Sequence, residues 1–127
     1  MKEYFIRITP DNRVKIIDTE APTDYRFYAD AIGARIFEIV RFGKRTNQVL
    51  VVNEESLLHE KPQPNVIASL LAERPIFDTV LIATEDIRDG EPDLLGFQDA
   101  KHAIAARIAL HIAIMHTGIF EGFDTVD

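Results

Sequence analysis

Val49-Leu50-Val51-Val52 place four apolar residues in succession between Gln48 and Asn53, three of them β-branched. Side chains leave a strand by alternate faces, so a strand built from this run is apolar on both. It belongs inside a sheet covered on both sides, or covered on one side and paired with another subunit. In the segment before it, Ile36, Glu38, Val40 and Phe42 alternate with Arg35, Phe37, Ile39 and Arg41, which predicts a hairpin partner across Gly43-Lys44-Arg45-Thr46-Asn47. Asn53-Glu54-Glu55 follow at once, so the hairpin ends in acidic residues.

Other elements fall on either side of this pair. Lys2 to Ile8 and Arg13 to Asp18 read as two strands joined by Thr9-Pro10-Asp11-Asn12. Tyr25, Tyr28 and Ile32 share a helical face, with Thr23 as the expected N-cap, Asp24 near the positive end and Gly33 as the left-handed stop. Ser56 to Gln63 reads as loop. Asn65 caps a short helix through Glu73 that turns Val66, Leu70 and Leu71 inward, and Pro75 prevents its continuation. Ile76 to Ala83 is the expected fifth strand, and Thr84 to Gly96, with Gly90 and Pro92 among its acids, an exposed connection.

The strongest helical pattern runs from about Phe97 to Thr117. Ile104, Ile108, Ile112 and Met115 form one stripe, Leu110 and Ile114 a second side, and His102, Ala106, Ala109, Ala113 and His116 a third. So wide an apolar surface exceeds what one sheet face covers, so the helix is either central or meets a partner. The alanine face would let a second helix approach closely, making a homodimer contact there one reading. A helix wholly buried within its own domain is the other. The order ββαββαβα predicts one α+β domain over residues 1–127, with a mostly antiparallel sheet, helices packed against it and a long C-terminal helix.

Composition narrows the function classes. A chain of 127 residues, 46% hydrophobic, is long enough for a real core and too short for a second domain. Cysteine is absent, which removes disulfides, thiolate metal sites and a cysteine nucleophile, and fits a cytoplasmic location. Lys2, Glu3 and Arg7 interrupt the region where a signal peptide needs a continuous apolar core. Ala103 to Met115 contains Arg107 and His111 and is too short for a span, so a soluble protein without membrane contact is expected. A formal charge of −7 disfavours diffuse attraction to nucleic acid.

Few constellations carry chemistry. Glu38 among Ile36, Val40 and Phe42 is expected to be partly desolvated and paired with Arg7, Lys15 or Arg107, as a structural ion pair or a working carboxylate. Asn53, Glu54 and Glu55, with His59 or Asp86 nearby, would form a ligand site, a divalent-ion site or an acid and base pair if they converge, and ordinary loop acidity with Asn65 as a cap if they do not. His111 and His116 are five apart, a poor interval for zinc on a helix. No metal site or cofactor is assigned. Arg41, Lys44 and Arg45 make a basic turn that suits a phosphate, yet Glu38 stands where a P-loop requires glycine. Glu85, Asp86, Asp89, Glu91 and Asp93 crowd one segment and would imitate a run of phosphates toward a basic partner, or simply be solvated. Nucleophile-elbow, dinucleotide-loop and His-Glu-x-x-His signatures are missing.

Gly33, Ile36-Phe37-Glu38, Val49-Leu50-Val51-Val52-Asn53-Glu54-Glu55 and Pro64-Asn65 with Ala68, in that order and spacing, resemble the domain-of-unknown-function family numbered 3846, found largely in phages, plasmids and their bacterial hosts. The block covers residues 33–83. It departs at Asp78-Thr79, where the last strand of such proteins tends to begin with glycine. The resemblance implies an accessory gene of a mobile element and carries no catalytic residues. The leading expectation is therefore a non-enzymatic protein that binds a host protein or a small ligand, as a monomer or a homodimer, including the version that antagonises host defence. A small metal-dependent or acid/base hydrolase centred on Glu38, Glu54, Glu55 and His59 is the alternative, and a nucleotide or nucleic-acid module on the basic turn is the third.

Overall fold

A computed structural model describes residues 1–43, 47–88, 90–116 and 124–126. The elements are β1 (Lys2–Ile8), β2 (Arg13–Glu20), α1 (Tyr25–Ile32), β3 (Phe37–Arg41), β4 (Gln48–Asn53), a 3-10 turn (Ser56–Leu58), α2 (Val66–Ala72), β5 (Val80–Arg88), β6 (Glu91–Leu95), α3 (Ala100–Met115) and β7 (Asp124–Val126). They make an α+β domain. The sheet order is β3-β4-β5-β1-β2-β7, with β6 paired to β5. Every described pairing is antiparallel except β2 with β7. No helix among the described residues is long and apolar enough to cross a membrane.

β4 occupies the position its sequence demands. Leu50 and Val52 join a core with β1, α2 and α3, whereas Val49 and Val51 join a second core with Phe5 and with Tyr28 and Ile32 of α1. All four are buried. The sheet is thus covered by α1 on one face and by α2 and α3 on the other.

Helix ends follow local chemistry with one correction. Asp24, not Thr23, caps α1 by accepting from the Phe27 amide at 3.0 Å. Its carboxylate brings negative charge to the positive end of the helix, and the Thr23 hydroxyl is engaged by Tyr28 Oη at 2.7 Å. Gly33 closes α1 at φ +68, a left-handed position that glycine takes without steric cost. Asn65 caps α2 as expected.

Two further corrections concern the acidic segment and the last helix. Residues read as an exposed connection form the second half of β5 and all of β6, joined through Gly90. The strand survives its polar composition because Glu85 and Leu94 face one side, Asp86 and Asp93 the other, and Pro92 lies on β6 at the margin of the sheet. β1 and β5 pair only from Ile6 to Ile8, and beyond that β6 takes the place of β1, with Phe97 bridging to Tyr4. Gly96 stands in this fork, where a Cβ would lie 2.8 Å from Glu3 Cβ, Phe5 Cζ and the Tyr4 carbonyl oxygen. Phe97 belongs to the fork rather than to the helix, and Asp99 caps α3. Thr117 lies outside the described residues.

Candidate functional site

Glu38, Asn53 and Glu54 line a single cleft of about 550 Å³ at the end of the β3–β4 hairpin. The antiparallel register sets Glu38 opposite Val52, and the Glu54 amide donates to the Ile36 carbonyl at 3.1 Å, so the strand ends and the residues after them share one rim. Asn53 is buried, and its Oδ1 accepts from the Glu55 amide at 2.9 Å, turning the chain into the 3-10 turn. That turn places Leu57 and Leu58 on the cleft wall at 68% and 78% exposure. The opposite wall is Arg74-Pro75-Ile76-Phe77, which leaves α2 through Glu73 at φ +56.

Glu38 is not desolvated. It lies on the edge strand, its side chain is 45% exposed, and its partner is Arg74 at 3.0 Å instead of Arg7, Lys15 or Arg107. A pair this exposed contributes little to stability, so it is free to exchange for a ligand group. Glu54 makes no ion pair with a described residue.

The other candidates go elsewhere. Glu55 turns to Arg35 in a fork-to-fork pair of 3.1 and 2.6 Å, and that guanidinium holds its carboxyl below the usual range. Asn65 is fully buried: its Oδ1 accepts from the Ala68 amide, and its Nδ2 donates to the Ile8 and Asp78 carbonyls. It ties the fold together and faces no ligand. His59 Nε2 lies 3.3 Å from Asn53 Nδ2, and His59 Nδ1 lies 3.7 Å from Asp78 Oδ2. With the amide as donor, Nε2 is the acceptor and the proton sits on Nδ1, an assignment made from the bonding pattern. The nitrogen that a general base would use is occupied.

Glu54 and Glu55 diverge, and among the described residues no group of three His, Cys, Asp or Glu side chains converges as a metal site would require. In the basic turn, Arg41 is clasped by Glu85 at 2.9 and 2.6 Å, and Lys44 and Arg45 lie outside the described residues. Glu85 is therefore part of the scaffold, while Asp86 and Asp93 stand across from each other on the α3 side of the sheet.

On α3, Ala103, Leu110 and Ile114 are buried against the sheet, and the other apolar side faces outward. Ile104, Ile108, Ile112 and Met115 are 42%, 54%, 52% and 37% exposed. His102, Ala109, Ala113 and His116 are exposed, and Ala106 is half-buried against the core. The two histidines serve the helix ends: His102 Nδ1 sits 2.7 Å from Asp99 Oδ1, and His116 Nδ1 sits 2.8 Å from the Ile112 carbonyl oxygen. His102, Ala105, Ala106 and Ala109 line a second groove, of about 630 Å³, opposite Gln48, Thr84 and Asp86 of the fork.

Sequence reasoning missed Arg74, Phe77 and the two leucines of the cleft. Arg74-Pro75, directly after a helix stop, was the available signal, because it fixes where a cation leaves the helix. Comparison of the chain with family models, with curated proteins and with solved structures returns no match.

Proposed function

We propose that this chain is a non-enzymatic binding protein, of the accessory kind that the resemblance to phage and plasmid proteins implies, and that it holds a segment of a host protein in the cleft at the end of β3 and β4. The observation that carries this reading is the meeting of Glu38 and Glu54 with Leu57, Leu58 and Phe77 around one 550 Å³ space. Leucine and phenylalanine side chains offer an apolar seat, and Glu54 offers a carboxylate to a cationic group. β3 is the edge strand, so an extended segment added beside it would set alternate side chains over the cleft. Small-molecule occupancy is the competing outcome.

The test replaces exposed residues only. Glu54→Lys combined with Leu57→Glu and Leu58→Glu should leave the thermal melt unchanged and abolish both capture of a host protein and any thermal shift from a small-ligand panel. Capture unaffected by these changes defeats the reading, and so does a wild-type protein that retains nothing and responds to nothing. Antagonism of a host defence system through the acidic β5–β6 ribbon, a surface separate from the cleft, is a second version. It predicts that neutralising Asp86, Glu91 and Asp93, with Glu85 left in place for Arg41, removes the effect on the host and preserves the fold.

A further inference from the structure

α3 presents a seam that the other described residues leave exposed. Lys101, Ala105, Ile108, Ile112 and Met115 follow at intervals of four, three, four and three residues, and all five are exposed. That average of 3.5 keeps a stripe facing a second helix along its whole length. Small Ala105 and Ala109 alternate with Ile108 and Ile112, which gives holes beside knobs on one surface. A surface that carries both halves of a fit is what a two-fold contact between identical copies requires.

The flanks of the seam differ in charge. On one side Ala105 and Ala109 lead into the groove whose far rim holds Asp86. On the other, half-buried Arg107 and His111 border a shallow hollow with Ile108 and Ile112. The sixteen residues of α3 contain no Asp or Glu, although the chain as a whole carries −7.

Symmetry and charge together choose the arrangement. A two-fold axis lying across the helices makes them antiparallel and sets like flank on like, Arg107 against Arg107 and Asp86 against Asp86. An axis running along the helices makes them parallel and sets the Asp86 flank of each copy against the Arg107 and His111 flank of the other. Only the second joins opposite charges, and it does so twice, against a single meeting of like charges where the exposed Lys101 side chains face each other at one end of the seam.

Area says the flanks must take part. A sixteen-residue helix is ~24 Å long, and a strip ~10 Å wide along it covers ~240 Å², against roughly 800 Å² per partner in a stable interface. The seam alone is about three-fold too small, so the strands bordering the groove have to close over the second copy.

We infer that the exposed seam of α3 is a homodimer contact in which two α3 helices run parallel about a two-fold axis, with Asp86 of each copy facing Arg107 and His111 of the partner subunit. The contact differs from the alanine face suggested by sequence alone: it is centred on Ile108 and Ile112, with that face at its margin.

Sedimentation velocity over a range of concentrations reads the result. The wild type should be a dimer, Ile108→Glu with Ile112→Glu a folded monomer whose melt no longer depends on concentration, and Asp86→Arg should raise the dissociation constant at least tenfold. The absence of cysteine allows a cleaner reading of direction. Lys101→Cys and Met115→Cys should each cross-link to itself under mild oxidation, because in a parallel pair every seam residue meets its own copy. Cross-linking only when the two variants are mixed would overturn the parallel arrangement, as would an Asp86→Arg dimer of unchanged strength. A wild type that stays monomeric overturns the dimer and leaves the β3–β4 cleft, which has its own variants, untouched.

Discussion

The side-chain amide of Asn65 donates to the Ile8 carbonyl at 3.0 Å, across 57 residues of sequence. Through it the start of α2 is fixed to the end of β1, and through the Asp78 carbonyl at 2.9 Å to the approach of β5. The same side chain caps the helix. Three elements are thereby held by one residue with no contact to solvent.

Asn65→Ala should therefore be costly. Loss of a cap is worth ~1 kcal/mol, and buried carbonyls left without a donor add ~1–3 kcal/mol, so about 2–4 kcal/mol is expected in equilibrium urea unfolding. Asn65→Asp keeps the cap acceptor but points a carboxylate at two carbonyl oxygens, and it should be destabilising as well. A loss under about 1 kcal/mol in both variants would refute the role given to this amide.

How much of this was legible varies with the residue. Val49 to Val52 dictated a strand covered on both faces, and the Asn65 cap followed from its place before an apolar helical turn. The β5–β6 ribbon was hidden because its side chains are acids and a proline. Strand character there rests on main-chain pairing, on Arg41 reaching Glu85 at 2.6 Å and on an open side for Asp86 and Asp93. On α3 the obstacle was the opposite one. A helix apolar on several sides does not declare which side meets the sheet, and that choice was made by Leu110 and Ile114 with the small Ala103 between close-packed neighbours. The cleft was half legible: strand ends marked Glu38 and Glu54, but its far wall comes from the distant segment 74–77.

At the fork, Gly96→Ala should strain the sheet. The added methyl meets Glu3 Cβ, Phe5 Cζ and a backbone oxygen, each at 2.8 Å, and the oxygen belongs to the Tyr4–Phe97 bridge, which must shift to make room. Overpacking of this kind costs ~1–3 kcal/mol. Amide exchange at Tyr4 and Phe97 should quicken more than at Ile6 or Ile82; equal protection in wild type and variant would contradict the contact.

Tyr28 supplies an alkaline signature. Burial pushes its phenol up to about 12, and its hydroxyl donates to the Leu94 carbonyl at 2.9 Å. A raised folded value means the neutral form is favoured in the native state. Its stabilisation is complete below the unfolded value of about 10 and is lost as pH rises from there through about 12. Ultraviolet titration should show a late-ionising phenol that disappears in Tyr28→Phe. Tyr28→Phe should remove this part of the alkaline destabilisation and lower stability at neutral pH by ~1 kcal/mol for the lost hydrogen bond.

Glu55 gives the acid counterpart. Its carboxyl is held low by the Arg35 guanidinium, so the pair's stabilisation is present above the unfolded value of about 4.3 and is lost as pH falls through the lower folded one. In Arg35→Ala the Glu55 midpoint, followed by carboxyl NMR shifts, should rise toward the ordinary glutamate range. A midpoint that stays put would mean that something other than Arg35 lowers it.

Asp78 occupies a backbone position that glycine would take without strain. Its backbone lies at φ +65, in the left-handed region where glycine is unstrained and Asp is among the better tolerated alternatives. Its Oδ1 accepts from the Gln63 amide at 3.1 Å, which offsets part of that strain, whereas Oδ2 is buried without a hydrogen-bond partner. Asp78→Gly exchanges relief of ~1–2 kcal/mol of backbone strain for a lost hydrogen bond of ~0.5–1.5 kcal/mol and should come out near neutral. Asp78→Asn keeps the Oδ1 acceptor, tolerates the same backbone and replaces a buried carboxylate oxygen by a neutral amide, so its melting temperature should rise. A fall in Asp78→Asn would show that the charge itself is needed, and the group to suspect would be His59, 3.7 Å away.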